Sequence, residues 1–328
     1  MTFHNNIGEF TSNVTFGGSQ TLQIEIDTGS ADLWVMSSLE PSALLSGHSY
    51  YNSGKSTTFH ALNGYTWGNH YADSSSDSGN VIGTENVNVG GVTVTTVIEL
   101  ANNVSSSFSS RSGRDGIMGL GRKSNGLNTV HYANGTYAPQ KTFFENIMNS
   151  LEQPIFALYL KPGSSGASID FGYIDDTKYS GSLVEAPLVD SVYWRINSTS
   201  SKVGSTIYAN TVGTAAIIDS GTTLIYVWND IATHLYEAID GAQFTSSNGW
   251  VFPCNSSLPS FELLVGSYYA IVGTEQLNFK TVGNGYCQGS VQVQKSTDPY
   301  MIFGLAFLAT QYMVLDPTNN VLRFALLK

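Results

Sequence analysis

The segment "IEIDTGS", Ile24–Ser30, returns later in the chain as "AIIDSGTT", Ala216–Thr223. In both, an apolar run ends on an aspartate, Asp27 or Asp219, and a hydroxyl residue and a glycine follow at once. Each copy is followed, at nearly equal distance, by two apolar residues and a glycine: "GIMGLG" with Gly119 and "MIFGLAF" with Gly304. One Asp-Thr-Gly is an ordinary turn triplet. Two in the same order and spacing are an internal duplication. The duplication predicts two similar β lobes whose aspartate-bearing turns face each other.

The rest of the chain agrees with a β-rich reading. Of its 328 residues 33 are glycine and 18 tyrosine, Ser, Thr and Val are abundant, and only 12% are charged. Segments such as "VNVGGVTVTTVIEL" (Val87–Leu100), "IFALYLKPGSSGASIDFGYID" (Ile155–Asp175) and "SVQVQ" (Ser290–Gln294) alternate as strands do. Gly90–Gly91 and Gly163–Gly166 read as hairpin connections. Two stretches are spaced as helices instead: Phe143, Phe144, Ile147, Met148 and Leu151 mark one face, and Ile231, Leu235, Ala238 and Ile239 another. Ser105–Arg114 reads as a loop. The expected division is a first lobe over 1–175 and a second over 176–328.

Two carboxylates brought to contact distance cannot both ionise, because each raises the other's pKa. Such a pair holds one proton: the ionised member takes a proton from water while the protonated member donates one. That suffices to add water to an amide with neither metal nor organic cofactor. Gly29 and Gly221 permit a tight turn. Thr28 and Ser220 are placed to hydrogen-bond to the opposite loop, and Ser30 and Thr222 to donate to the outer carboxylate oxygens.

Other chemistries lack their residues. The balance of 25 acidic to 14 basic side chains, net −11, argues against a nucleic-acid partner. No apolar run approaches a membrane-spanning length, Met301–Leu315 being broken by Gly304, Thr310 and Gln311. "GIMGLGRKS" is out of register for a phosphate-binding loop, and neither G-x-S-x-G nor H-E-x-x-H occurs. The six histidines are scattered without ligand spacing, so no metal site is expected. Cys254 and Cys287 are too few for a zinc site and read as one structural disulfide. Sequons at Asn13, Asn103, Asn134, Asn197 and Asn255 fit a secreted, glycosylated surface. "MTFHNN" shows no signal peptide, which points to a mature form without leader or prosegment. A two-carboxylate glycosidase would not call for a duplicated Asp-(Thr/Ser)-Gly motif.

"DTGSADLWV", "IIDSGTTL", "DGIMGLG", "FALYL", "IDFGYID", "YSGSL", "IFGLAFL" and "QYMVLD" follow one another in the order found in pepsin-like aspartic proteases. The chain resembles that family over nearly its whole length and is most similar to secreted fungal members. The resemblance implies a mostly β, bilobal acid-protease fold with a deep cleft, and endopeptidase activity toward proteins or peptides at acidic pH. It also implies a zymogen origin, a monomer and inhibition by pepstatin. Asp27 and Asp219 would be the catalytic pair, Tyr71 the flap tyrosine and Trp34 its hydrogen-bond partner. Phe108 and Ile117 would line the main specificity pocket, Gly221 and Thr223 would contact the substrate backbone, and Cys254–Cys287 resembles the second lobe's disulfide. A binding protein descended from such enzymes would be expected to lack an aspartate or the flap tyrosine, and all three residues are present. The family flap usually reads Tyr-Gly-(Asp/Thr)-Gly-Ser. Here Tyr71-Ala72-Asp73-Ser74-Ser75 lacks both glycines, which stiffens the hairpin tip or alters its turn. Glu25 lies two residues before Asp27 and, by strand alternation, on the same side. With Asp73 it is expected to put negative charge near the pocket. Large apolar residues at the scissile bond, with tolerance of Lys before it, are the expected specificity.

Overall fold

The computed structural model describes residues 1–4, 8–71, 75–163, 166–294 and 299–328. Strands dominate, and the longest helix among the described residues is Asn229–Glu237. None is long and apolar enough to cross a membrane. The chain divides into two compact units, Met1–Leu151 with Ser191–Tyr193, and Glu152–Asp190 with Trp194–Lys328. Residues 152–175, allotted to the first lobe by the sequence reading, group with the second unit. Phe156–Tyr159 pairs antiparallel with Gln311–Asp316, and Ser168–Phe171 continues that sheet.

In the first unit an eight-stranded sheet runs in the order Thr2–His4, Glu9–Phe16, Gln20–Asp27, Gly116–Gly119, Leu33–Val35, Val92–Leu100, Val81–Val89, His60–Ala61. Glu9–Phe16 also pairs with Val81–Val89, folding the sheet back on itself. Gly90 and Gly91 both adopt positive φ and close the hairpin between the two long strands, a turn that other residues enter only under strain. A second hairpin, Tyr65–His70 with Ser76–Gly79, carries Tyr71 at its described end, where the Tyr71 amide donates to the Ser75 carbonyl at 2.9 Å.

In the second unit Ala215–Ile218, Met301–Phe303 and Ile225–Val227 lie side by side at the centre of a five-stranded sheet. Sheets of four strands flank it in sequence, and one of them holds Cys287 in Tyr286–Gly289. Cys254 and Cys287 are bonded, with Cα atoms 5.0 Å apart.

Both helical spacings read from the sequence are helices. Thr142 and Glu145 form a reciprocal capping box at the start of Phe143–Ile147, and Ile231, Ala232, Leu235 and Tyr236 bury one face of Asn229–Glu237. The serine-rich stretch from Ser105 differs from its loop expectation by one helical turn, Ser106–Ser109. The Ser105 side chain caps the turn by accepting from the Phe108 amide, and Phe108 is buried beneath it.

The duplication has a structural form in each unit. Gly116–Gly119 runs parallel to Gln20–Asp27, with Gly119 opposite Asp27, and antiparallel to Leu33–Val35. Met301–Phe303 runs parallel to Ala215–Ile218 and antiparallel to Ile225–Val227. The strand arriving from far along the chain thus wedges between the two strands that flank the aspartate loop. The conserved spacing of the later glycines follows from this. A Cβ on Gly119 would sit 2.5 Å from the backbone of Ala31, and one on Gly304 would strike the carbonyls of Thr222 and Leu224.

Candidate active site

Asp27 ends its strand and the chain turns immediately after it. The turn is tied to the wedge strand: Leu120 donates its amide to the Asp27 carbonyl at 2.6 Å, and Gly121 donates to the Ser30 carbonyl at 2.7 Å. One carboxylate oxygen of Asp27 accepts from the Gly29 amide at 2.7 Å, and the other accepts from the Ser30 hydroxyl at 2.5 Å. Asp27 is 8% exposed, so each donor replaces water that the turn excludes.

Asp219, in the second unit, accepts from the equivalent two donors. Its Oδ1 accepts from the Gly221 amide at 2.9 Å and its Oδ2 from the Thr222 hydroxyl at 2.6 Å. Leu305 donates to the Thr222 carbonyl at 2.8 Å and Ala306 to that of Thr223 at 3.0 Å. Backbone and hydroxyl donors stabilise the ionised form of a carboxylate. Thr28 and Ser220, between aspartate and glycine, are both buried. Thr223 is partly exposed.

Around Asp27 the first unit gathers an aromatic cluster. Trp34 is fully buried, and its indole N–H donates to the Tyr71 hydroxyl at 3.0 Å. The Phe108 ring lies 4.5 Å from that of Trp34, and Ile117 packs in the same group with Trp67 and Met36. Burial, with Asp77 close by, pushes the Tyr71 hydroxyl well above the usual tyrosine range, so it is a neutral donor and acceptor. Asp73, Ala72 and Ser74 lie outside the described residues.

Glu25 has an environment that strand alternation did not indicate. The strand is buried on both faces from Ile24 to Asp27. Glu25, 1% exposed, accepts from Arg114 at 2.6 Å, and the same guanidinium nitrogen is 2.9 Å from Glu9. Arg111 donates to the other oxygen of Glu9 at 2.8 Å. The Glu25 carboxyl is therefore engaged inside the unit rather than turned to solvent. Burial, only partly offset by Arg114, raises its pKa to about 8. The Arg114 guanidinium lies flat on Phe108, 3.9 Å from the ring centroid.

A second buried acidic pair was not singled out from the sequence. Asp32 and Glu99 are each 1% exposed, and the Asn128 amide donates to both, at 2.8 and 3.3 Å. Thr129 gives Asp32 a further amide donor at 2.9 Å. Burial raises Asp32 to about 6 and Glu99 well above the carboxylate range. Asp32 also holds the wedge, because its backbone carbonyl accepts from the Gly119 amide at 2.8 Å.

The asparagines of all five sequons are exposed. Comparison with known proteins agrees with the duplicated loops. The family model for eukaryotic aspartyl proteases matches residues 9–327. Aspergillopepsin-1 of Aspergillus oryzae is 41% identical over 98% of this chain and 79% of its own length. Penicillopepsin-1 of Penicillium janthinellum is 40% identical over 98% of this chain and 95% of its own length. The pepA aspartic protease of Arthroderma gypseum is 38% identical over 98% and 80%. Two aspartates with equivalent glycine-amide and hydroxyl donors, each on a wedge-held loop, inside a match that runs from Glu9 to Leu327, place this chain in the eukaryotic aspartyl protease family as a pepsin-type hydrolase.

Proposed function

We propose that Asp27 and Asp219 act together as the catalytic pair, sharing one proton and activating a water molecule against a peptide carbonyl. The observation that carries this reading is the equivalence of their shells: a glycine amide on one oxygen and a hydroxyl on the other in both units. The shared-proton chemistry itself is that of the family. Thr28 and Ser220 each support their own aspartate loop, Gly221 and Thr223 hold the substrate backbone, and Tyr71 closes over the substrate and excludes solvent.

The pocket before the scissile bond is built on Phe108 and Ile117 beside Trp34 and Tyr71, and this favours large apolar side chains. Tolerance of Lys was expected from Glu25 and Asp73 together. With Glu25 engaged by Arg114, Asp73 is the carboxylate left to provide it. We further propose a secreted monomer, with glycans on the exposed sequons and proteins or peptides as substrates.

The test is cleavage of an unfolded protein at about pH 3–5, with and without pepstatin, by the wild type and by Asp27→Asn and Asp219→Asn. Both variants should lose cleavage while keeping their fold. Pepstatin-insensitive cleavage, or activity in either variant, would overturn the assignment. Comparing cleavage after Lys and after Leu in Glu25→Gln and Asp73→Gly decides the finer point. A Lys-to-Leu ratio unchanged in Asp73→Gly removes Lys tolerance from the proposal.

A further inference from the structure

The side chain of His48 is fully buried in the first unit, against the segment that carries the pocket wall. Its Nδ1 lies 2.9 Å from the backbone oxygen of Arg114, and its Nε2 lies 2.9 Å from that of Ser109. Carbonyl oxygens only accept hydrogen bonds, so both ring nitrogens must carry a hydrogen, and a ring that donates from both is the imidazolium. The counter-charge is Asp115, whose Oδ1 is 3.5 Å from Nδ1. That carboxylate is itself fixed by the amides of Ser49 and Gln23, each at 2.9 Å. The other charged groups near this segment are directed elsewhere: the Arg114 guanidinium to Glu25 and Glu9, and that of Arg111 to Glu9.

The two carbonyls stand at the two ends of the stretch from Ser109 to Arg114. Phe108 immediately precedes the first, and Arg114, which covers the Phe108 ring, is the second. The His48 ring thus spans the stretch from end to end. We propose that His48, as the imidazolium, is a positioning residue for specificity: it clasps the segment from Ser109 to Arg114, keeps Phe108 against Trp34, and thereby sets the preference for large apolar side chains before the scissile bond. The proposal rests on reading Phe108 as a pocket wall. The bond to Asp115, followed by the two carbonyls, holds the His48 pKa above the ordinary histidine value of 6.5. A raised histidine stabilises its contacts fully below that ordinary value and loses the contribution as pH rises through the raised one. The clasp is therefore closed throughout the acid range and opens as pH rises through the raised value.

Two measurements test this. In the wild-type protein, nitrogen-15 NMR of the imidazole should show both His48 ring nitrogens protonated at about pH 6, with a titration midpoint above 6.5 that the amides of residues 109–115 follow. A neutral tautomer at about pH 6 overturns the clasp. At about pH 4, His48→Ala should raise KM about tenfold for a peptide with Phe before the scissile bond, the loss of one charge-assisted hydrogen bond. It should leave kcat nearly unchanged and spare a peptide with Ala at that position. His48→Asn, which keeps a donor near the Nδ1 position, should recover part of the loss. Equal effects on both peptides overturn the specificity role. If Phe108→Ala leaves both KM values unchanged, the pocket assignment fails, and the specificity role falls with it whatever the NMR shows.

Discussion

Ser30 and Thr222 differ from the residues around them in that each gives its one hydroxyl hydrogen to a carboxylate oxygen of the aspartate three positions earlier. A charge-assisted bond of this kind contributes about 1.5–3 kcal/mol. Ser30→Ala and Thr222→Val should therefore each lower kcat/KM by roughly ten- to a hundredfold, and Thr222→Ser should lose little. Unchanged kcat/KM in Ser30→Ala and Thr222→Val would mean that neither hydroxyl supports the aspartate it contacts. These residues could be read from the sequence because the chemistry demands particular side chains at fixed offsets. Arg114 could not. An arginine in a Ser- and Gly-rich stretch reads as solvated, and its burial depends on Glu9 and Glu25, which arrive on two other strands. Glu25 was placed on the correct strand but in the wrong environment, since alternation cannot tell that both faces of the strand end are covered. His48 gave no signal at all, because its partners are backbone carbonyls and carry no residue identity.

At the level of elements, the wedge strand and the buried acid pair make separate predictions. Gly304→Ala puts a methyl into two carbonyls of the aspartate loop. It should cost about 1–3 kcal/mol or more of stability and lower activity beyond that loss, as seen by denaturant unfolding alongside kcat. The Asp32–Glu99 pair predicts a pH effect. Both carboxyls have pKa values raised by burial, Asp32 to about 6. A carboxyl raised on folding adds stability below its unfolded pKa of about 4, and that contribution is lost as pH rises through the folded value. Glu99→Gln keeps a hydrogen-bonding side chain that cannot ionise. Its melting temperature should overtake that of the wild type between about pH 4 and 7, by roughly 2–4 °C per kcal/mol recovered. Equal melting curves across that range would show the pair to be unstrained. The sequence revealed the elements where periodicity is strong, as in Phe143–Ile147 and Asn229–Glu237. It hid the helical turn at Ser106–Ser109, where serine composition outweighed the capping signal. The strand Gly116–Gly119 was visible as a repeat, but which strands it separates was not, since pairing partners far apart in sequence leave no local mark.

Over the whole chain the shifted acids are unevenly distributed. Among the described residues Glu25, Asp32, Glu40, Asp77 and Glu99 of the first unit have raised pKa values and Glu85 there a lowered one, while the shifted carboxylates Asp175 and Asp316 of the second unit are both lowered. The raised groups lose their stabilising contribution as pH climbs from about 4 through the value near 8 reached by Glu25. Calorimetry combined with limited proteolysis should find the first unit melting progressively earlier over that range while the second changes little. Parallel shifts of both would contradict it. The disulfide belongs to the second unit alone: replacing Cys254 and Cys287 with serine should lower that unit's stability by roughly 2–4 kcal/mol, in line with a closed loop of 33 residues, and spare the first. The wedge strands add a constraint on biosynthesis. Neither aspartate loop has its backbone partners until a strand made far later has entered: Leu120 and Gly121 for Asp27 and Ser30, Leu305 and Ala306 for Thr222 and Thr223. The first loop can gain its partners once translation has passed Gly121, the second only after Ala306. The two aspartate loops thus have their backbone frames complete only late in synthesis, an order set by topology alone.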